Sequence, residues 1–411
     1  MNLAVISVIA LLIAIALSCF TQLNVGVLAI VFAWIIGVYL GGMPVKTVAG
    51  GFPADLFLTL AGVTLLFSQA QVNGTLGSIA KHLVRLCRGN AGLLPVMFFC
   101  FASALATIGP GNIATAALLA PAAMAAARRT NISPFLMAIM VGNGANSGSL
   151  SPFAPTGIIV NGLMDRIGLR GYEWTNWWNN FAAHAALAFA GYLLFGGWKL
   201  FARKSSAAEP EEAEPFQRNQ WITIAVIAGL VLAVVVGKAN IGMAAFAGAA
   251  LLAVLKACDD GEAIRKMPWN TLVMVCGVTV LISLLEKTQG IELFASLIAR
   301  ISTPGTATAV VAFVTGLVSV YSSTSGVVLP AFLPVIPSLI EKLGGGDAFA
   351  IASAMNVGGH LVDVSPLSTI GALCLAGVTD PQEARNLFLK LMAWGLSMSV
   401  AGAGFSYVFF R

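Results

Sequence analysis

The residues able to do chemistry in this chain are few, and they gather at four places. Gly142-Asn-Gly-Ala-Asn-Ser-Gly-Ser-Leu-Ser-Pro152 offers Asn143, Asn146, Ser147, Ser149 and Ser151, with Thr156 just beyond. A later stretch offers Asn356, His360, Asp363, Ser365, Ser368 and Thr369. Two Gly- or Ser-rich interruptions, Ile108-Gly-Pro-Gly-Asn112 and Tyr321-Ser-Ser-Thr-Ser-Gly326, add Asn112, Ser322, Ser323, Thr324 and Ser325. Oxygen-rich turns of this kind suit a hard monovalent cation such as Na⁺, whereas backbone N–H groups at the start of a helix suit an anion. A lone Ser or Thr in a membrane helix usually bonds its own backbone. Clustering at interruptions is what favours a site.

The candidate substrate contacts are therefore Gly111, Asn112, Asn146, Ser147, Ser151, Pro152, Thr156, Ser323, Thr324, His360, Ser365, Pro366, Ser368 and Thr369. The candidate Na⁺ ligands are Asn112, Asn143, Ser149, Ser325, Asn356 and Asp363, and no catalytic residue is expected. Asp363 is the one carboxylate inside either broken region, and an ionisable group at that depth is a functional hypothesis by default. It could bind a cation, carry a proton, or cap a half-helix starting at Val364 to Ser365. His360 could partner it, donate to a substrate, or simply bond a neighbouring helix; His184 reads as structural, and His82 sits on an interfacial helix. No Lys or Arg occurs in 91–127, 132–165, 305–341 or 347–379. A carboxylate bound there would be held by helix dipoles, amides, hydroxyls and a co-bound cation, not by a guanidinium.

The elements that must carry these groups are membrane helices. Of 411 residues, 22 are Lys or Arg and 17 Asp or Glu, while 58% are hydrophobic. A water-soluble fold could not cover so much apolar surface. Apolar runs of about 17 to 25 residues, enough to cross roughly 30 Å of hydrocarbon, recur throughout. Basic residues sit singly or in pairs at segment ends, so the net charge of +5 reports topology and not a nucleic-acid partner. The six cysteines show no metal or disulfide spacing. Met1 to Phe20 lacks a basic n-region and a cleavage signal, so it reads as the first span rather than a signal peptide.

Apolar stretches at 3–20, 25–41 and 54–72 predict three helices. Gly74 to Arg88 alternates Leu76, Ile79, Leu83 and Cys87 with Lys81, Arg85 and Arg88 at helical spacing, the pattern of a helix lying in the interface. Residues 91–128, interrupted at 108–112, read as a re-entrant hairpin, with two full spans as the alternative. Residues 132–165 read as a helix broken through 142–152, since irregular backbone at membrane depth survives only in protein or beside a wet cavity. A span from Trp177 to Leu200 closes the unit, and Lys204 to Gln220 is a solvated linker.

The pattern then starts again, with identities recurring at an offset of 214 to 216. Asn24-Val-Gly26 returns as Asn240-Ile-Gly242, Gly62-Val-Thr64 as Gly277-Val-Thr279, Ser151-Pro152 as Ser365-Pro366, and Gly157 as Gly371. An interfacial helix (Ile291 to Ile301), a hairpin (305–342, broken at 321–326) and a broken helix (347–379) follow. Each copy, 1–203 and 221–411 around the 204–220 linker, would hold five spans plus a hairpin. Five is odd, so the second copy is inverted. Sorting the basic residues by this topology puts 14 of the 22 on the linker face, making the linker cytoplasmic and both termini extracytoplasmic. Two hairpin tips and two broken helices would converge at mid-membrane, the geometry of secondary transporters. No enzyme motif appears, and no symmetric filter or charged ring of a channel.

Gly111-Asn-Ile-Ala-Thr-Ala-Ala-Leu-Leu-Ala-Pro121 resembles the hairpin of the divalent anion:sodium symporters, and the first half more specifically resembles dicarboxylate carriers of the MatC (malonate carrier) type, from Asn24-Val-Gly to Asn143-Gly-Ala-Asn-Ser-Gly-Ser-Leu-Ser-Pro152. Gly111 and Ile113 stand where the symporter tip has Ser and Thr, its Pro-Pro-Asn after the first break is absent, and Asp363 is unusual. The resemblance implies an all-α homodimeric elevator in the cell (inner) membrane. Its scaffold would be about 1–50 and 221–266, and its mobile transport domain the rest. It implies one Na⁺ site at Gly111 to Ile113 with Asn143 to Pro152, and a second at Ser323 to Gly326 with Asn356 to Ser365. The expected function is import of a small dicarboxylate, malonate-like or four-carbon, with coupled Na⁺ and no other cofactor. A proton-coupled carrier or exchanger of another organic anion is the alternative.

Overall fold

A computed structural model describes every residue except 1, 21–22, 87–89, 203–213, 379 and 411. The described residues form helices and no strands. Most of the linker, with Cys87 and Arg88 of the interfacial helix, lies outside them. Among the described residues, five helices are long and apolar enough to cross a membrane: Ala54–Val72, Arg218–Val235, Trp269–Lys287, Thr324–Leu343 and Pro381–Phe409. Shorter apolar helices, among them Leu93–Ile108 and Ile241–Val254, accompany them. The chain is a multi-pass membrane protein.

The element order repeats. In the first half, Leu3–Phe20, Val25–Trp34 (prolonged to Leu40 by a wider π turn) and Ala54–Val72 precede the amphipathic Thr75–Leu86. A helical pair, Leu93–Ile108 and Gly111–Arg129, follows, then Pro134–Gly148 and Pro155–Arg166 with a gap between them, and Glu173–Leu194. In the second half the order is Arg218–Val235, Ile241–Val254, Trp269–Lys287 and Gly290–Ala299. Next come Ala307–Ser319, a return arm from Thr324 to Leu343, Ala348–Leu361, Thr369–Ala376 and Pro381–Phe409. The sequence-based Trp177 to Leu200 span starts a turn early, at Glu173, and stops at Leu194; Gly196, at φ +80°, ends it before a 3-10 turn.

Glycines explain how closely the helices approach, and their contacts come in pairs. A Cβ on Gly26 would stand 2.5 Å from Met274 Cα, and one on Gly277 2.1 Å from the Gly26 carbonyl oxygen. Between the other two helices, a Cβ on Gly242 would stand 2.6 Å from Thr59 Cα, and one on Gly62 2.4 Å from the Gly242 carbonyl oxygen. Helix 2 of each half thus crosses helix 3 of the other, in the same register, at backbone contact.

Candidate functional site

Each interruption has an identifiable local cause. The first helical pair turns at Gly109 (φ +152°) and Gly111 (φ +77°), conformations open to glycine, and a side chain on Gly109 would run into the Phe67 ring at 2.0 Å. The second pair turns at 320–323, where Ser323 takes up an extended N-cap and its Oγ accepts from Gly326 N at 3.1 Å. In the first broken helix the gap is narrower than the composition suggests: residues 142–148 stay helical, and only 149–154 leave the helix. The glycines of 142–148 serve packing instead. A Cβ on Gly144 would lie 2.5 Å from the Phe99 carbonyl oxygen, and one on Gly148 2.5 Å from that of Ser103. In the second broken helix 362–368 is the gap, and Ser368, not Asp363, caps the restart at Thr369, its Oγ accepting from Gly371 N at 3.4 Å. A cap by Asp363 at Val364 to Ser365 is therefore excluded, because no helix begins there.

Part of the candidate list comes together around one cavity of about 260 Å³. Asn112, Ser323, Thr324, Ser325, Asp363, Ser368 and Thr369 line it, joined by Ser322. Three helix starts meet there: Asn112 and Ile113 from Gly111–Arg129, Thr324 and Ser325 from the second return arm, and Thr369 and Ile370 from Thr369–Ala376. Their N–H groups and dipoles favour negative charge. Among the described residues, Asp363 is the one charged residue that lines it. Its Oδ1 accepts from Thr324 Oγ1 at 2.8 Å, while Ser368 Oγ donates to the Asp363 carbonyl oxygen and to that of Ser365, the latter at 2.8 Å.

The remaining candidates lie behind this wall and bond within the protein. Asn112 Nδ2 donates to Asn146 Oδ1 at 2.9 Å, linking the first tip to the first broken helix, and Asn146 Nδ2 reaches the His360 carbonyl oxygen at 3.5 Å. Thr156 Oγ1 reaches Asn112 Oδ1 at 3.4 Å, and Gly111 packs on Pro155. Ser147 donates to Ser103 and to the Gly144 carbonyl oxygen, Ser149 to that of Asn146 and Ser151 to that of Thr107, each fully buried and none lining the cavity. Asn143 Nδ2 donates to the Ile139 carbonyl oxygen, and its Oδ1 lies 2.9 Å from His184 Nδ1. Asn356 donates to Asn176 Oδ1 at 2.9 Å, and His360 Nδ1 lies 2.8 Å from the Asn356 carbonyl oxygen. Ser365 and Pro366 are buried, Pro152 half-buried, and none of them lines the cavity.

Two groups of residues escaped the sequence reading, apart from His184, which it took as structural. Leu23, Val25, Asn270 and Met274 also line the cavity, with Asn24 Nδ2 donating to the Asn270 carbonyl oxygen at 2.9 Å and to its Oδ1 at 2.8 Å. The return of Asn24 at Asn240 marked this corner without giving it a role. The second group is a buried polar stripe on Glu173–Leu194: Asn176, Asn180 and His184 recur every fourth residue on one face, against both broken helices. Asn180 Nδ2 donates to the Asn146 carbonyl oxygen at 2.8 Å. Among the described residues Asn180 Oδ1 and the Nε2 atoms of His184 and His360 have no protein partner.

Comparison with known proteins accords with this geometry. Residues 1–149 match the family model described as the N-terminus of dicarboxylate carrier protein MatC. An uncharacterized transporter of Mycobacterium bovis is 23% identical over 353 residues, covering 79% of each chain. One of Mycobacterium tuberculosis is 24% identical over 360 residues, again covering 79% of each. Among solved structures, the YdaH transporter of Alcanivorax borkumensis superposes with a TM-score of 0.57 at 15% identity, over 90% of this chain and 88% of that one. At that identity the likeness is one of fold. The resemblance read from Asn24-Val-Gly and the 143–152 motif thus holds over the first 149 residues.

Proposed function

We propose that this membrane transporter, akin to the dicarboxylate carriers and not an enzyme, imports a small dicarboxylate together with a cation by alternating access. The observation that carries the reading is the cavity in which three helix starts face Asp363 with no basic side chain in its lining. Helix starts attract an anion, yet a carboxylate in the same wall repels one. A co-bound cation resolves the conflict, which is why entry of the anion depends on it. At about 260 Å³ the cavity falls below the roughly 300 Å³ at which drug-sized sites begin, as a malonate-like or four-carbon acid requires.

Na⁺ is the cation favoured by the neutral oxygens of Ser322, Ser323, Thr324, Ser325 and Ser368 around the carboxylate. The recurring offset and the paired glycine contacts support two inverted copies, 1–203 and 221–411, with the linker cytoplasmic. The family likeness favours a homodimeric elevator, its scaffold about 1–50 and 221–266 and its moving part carrying both hairpins and both broken helices. Labelled malonate or succinate uptake into proteoliposomes, with and without an inward Na⁺ gradient, is the test; gradient-independent or absent uptake of both refutes Na⁺-coupled import.

The placement of Asp363 in the lining of a cavity without a basic side chain supports a second reading, in which the carboxyl takes up a proton instead. Uptake would then be driven by external acid, lost in Asp363→Asn, and indifferent to Na⁺.

A further inference from the structure

Asn270, to which Asn24 donates, lines the cavity, and the repeat assigns that corner a counterpart. Gly26 meets Met274, and Gly277 meets Gly26, through the same atoms by which Gly242 meets Thr59 and Gly62 meets Gly242. The helix starts correspond as well. Asn24 caps Val25–Trp34, accepting from Gly26 N at 3.0 Å, and Asn240 caps Ile241–Val254, accepting from Met243 N at 3.1 Å. Applying the offset of the paired glycines, 62 to 277, to the cavity wall carries Asn270 onto Asp55 and Met274 onto Thr59. The offset of 26 to 242 carries Val25 onto Ile241. Helix 2 of the first half runs from Asn24 to Leu40 before the chain returns at Asp55, so the two corners lie at opposite ends of the crossed helices, about 24 Å apart along a helix of 16 residues.

We propose that Asp55 and Asn240 form the second mouth of the transport pathway, the one facing the cavity in the opposite state, and that an amide at one mouth and a carboxylate at the other make the two electrostatically unequal. The inference rests on the alternating-access reading. Asp55 is exposed and makes no ion pair or side-chain hydrogen bond among the described residues, and Thr59 Oγ1 donates to its carbonyl oxygen, not to its carboxylate. A bare carboxylate at a wet mouth raises the local concentration of cations and lowers that of anions within about 10 Å. At the Asp55 mouth loading is therefore cation-first; at the Asn270 mouth the anion meets no such charge.

The experiment compares transport from the two faces, in intact cells and in inverted membrane vesicles, for the wild type, Asp55→Asn and Asn270→Asp. Asp55→Asn lowers the KM for the dicarboxylate about fivefold from the Asp55 face alone, the effect of one unit charge a few ångströms away in water, and the change fades in high salt. Asn270→Asp raises the KM from the other face alone. A neutral Asp55→Ala separates charge from shape, since it reproduces the Asn variant if charge is what matters. Equal effects from both faces, or none in Asp55→Asn, overturn the assignment while leaving transport intact. Absence of transport by the wild type from either face overturns the transport reading and this inference with it.

Discussion

The two broken helices occupy equivalent places in the two halves, yet only one opens onto the cavity. At the first gap, Ser149 and Ser151 are fully buried and their hydroxyls are spent on the carbonyls of Asn146 and Thr107, while Gly157 N donates back to the Ser149 carbonyl oxygen at 3.0 Å. At the second, Asp363 and Ser368 are half-buried and Thr369 is exposed. By the offset of Gly144 and Gly358, Ser149 corresponds to Asp363, Ala154 to Ser368 and Pro155 to Thr369, so these three polar residues that reach the cavity at the second gap have other residues in their places at the first. A serine closes its gap with a local bond. A carboxylate cannot be sealed in apolar surroundings without a compensating charge, and so it holds its gap open to a polar space. The same order of elements thus carries one break whose hydroxyls are satisfied internally and one whose polar groups line the cavity.

That contrast can be broken first at Asp363. Asp363→Asn removes the one charge lining the cavity and weakens the bond from Thr324; a charge-assisted hydrogen bond is worth about 2 kcal/mol, so transport should fall about 30-fold. Initial uptake rates read this, and a rate within a factor of two of the wild type refutes the chemical role of the second break. Asn112→Ala, at the tip of the first helical pair where it reaches the cavity, should cost about tenfold in uptake. If the loss appeared instead as unfolding, with the remaining folded protein transporting normally, Asn112 would belong to the structural side of the comparison.

Stability should be symmetric even though chemistry is not. A Cβ on Gly157 would stand 1.9 Å from the Ser151 carbonyl oxygen and one on Gly371 2.0 Å from that of Ser365. Gly157→Ala and Gly371→Ala should each lower stability by about 2 kcal/mol, read as the Tm of detergent-solubilised protein. A large asymmetry between them would argue against equivalent backbone plans. The smallest effect is expected for Ser149→Ala, about 1 kcal/mol of stability, with the thermal shift produced by substrate unchanged. A lost substrate shift there would promote the first gap to a ligand site.

Much of this was visible in residue order alone. The helical pairs could be placed because Gly109-Pro110-Gly111 and Ser322 to Gly326 interrupt long apolar runs, and the recurring order of elements because Asn, Gly and Ser-Pro recur at an offset of 214 to 216. The extent of the first gap was not legible. Glycine at 142, 144 and 148 signals either irregular backbone or close packing, and only the neighbours, Val364, Phe99 and Ser103, decide for packing. Nor could composition separate Asn143 and Ser147, which satisfy interior partners, from Thr324 and Ser368, which face the cavity. That distinction depends on which side of a helix meets another helix. Asn176 and Asn180 could have been found by their spacing from His184, which read as structural, since three polar residues four apart in an apolar helix must share a face. Asn270 could not, because its partner Asn24 is remote in sequence.

The return arm of the second hairpin carries one more consequence. Between Thr324 and Leu343 it passes through π, α, 3-10 and α geometry, and Pro330, Pro334 and Pro337 deprive it of three amide hydrogens; its counterpart Gly111–Arg129 contains only Pro121. A helical rod resists bending through its ladder of axial bonds, and each missing rung lowers that resistance locally. Compliance is thus concentrated in one arm, the arm that carries Thr324 at its start. Flexing there moves the hydroxyl that grips Asp363, while the stiffer arm carrying Asn112 holds its side of the cavity as a fixed jaw.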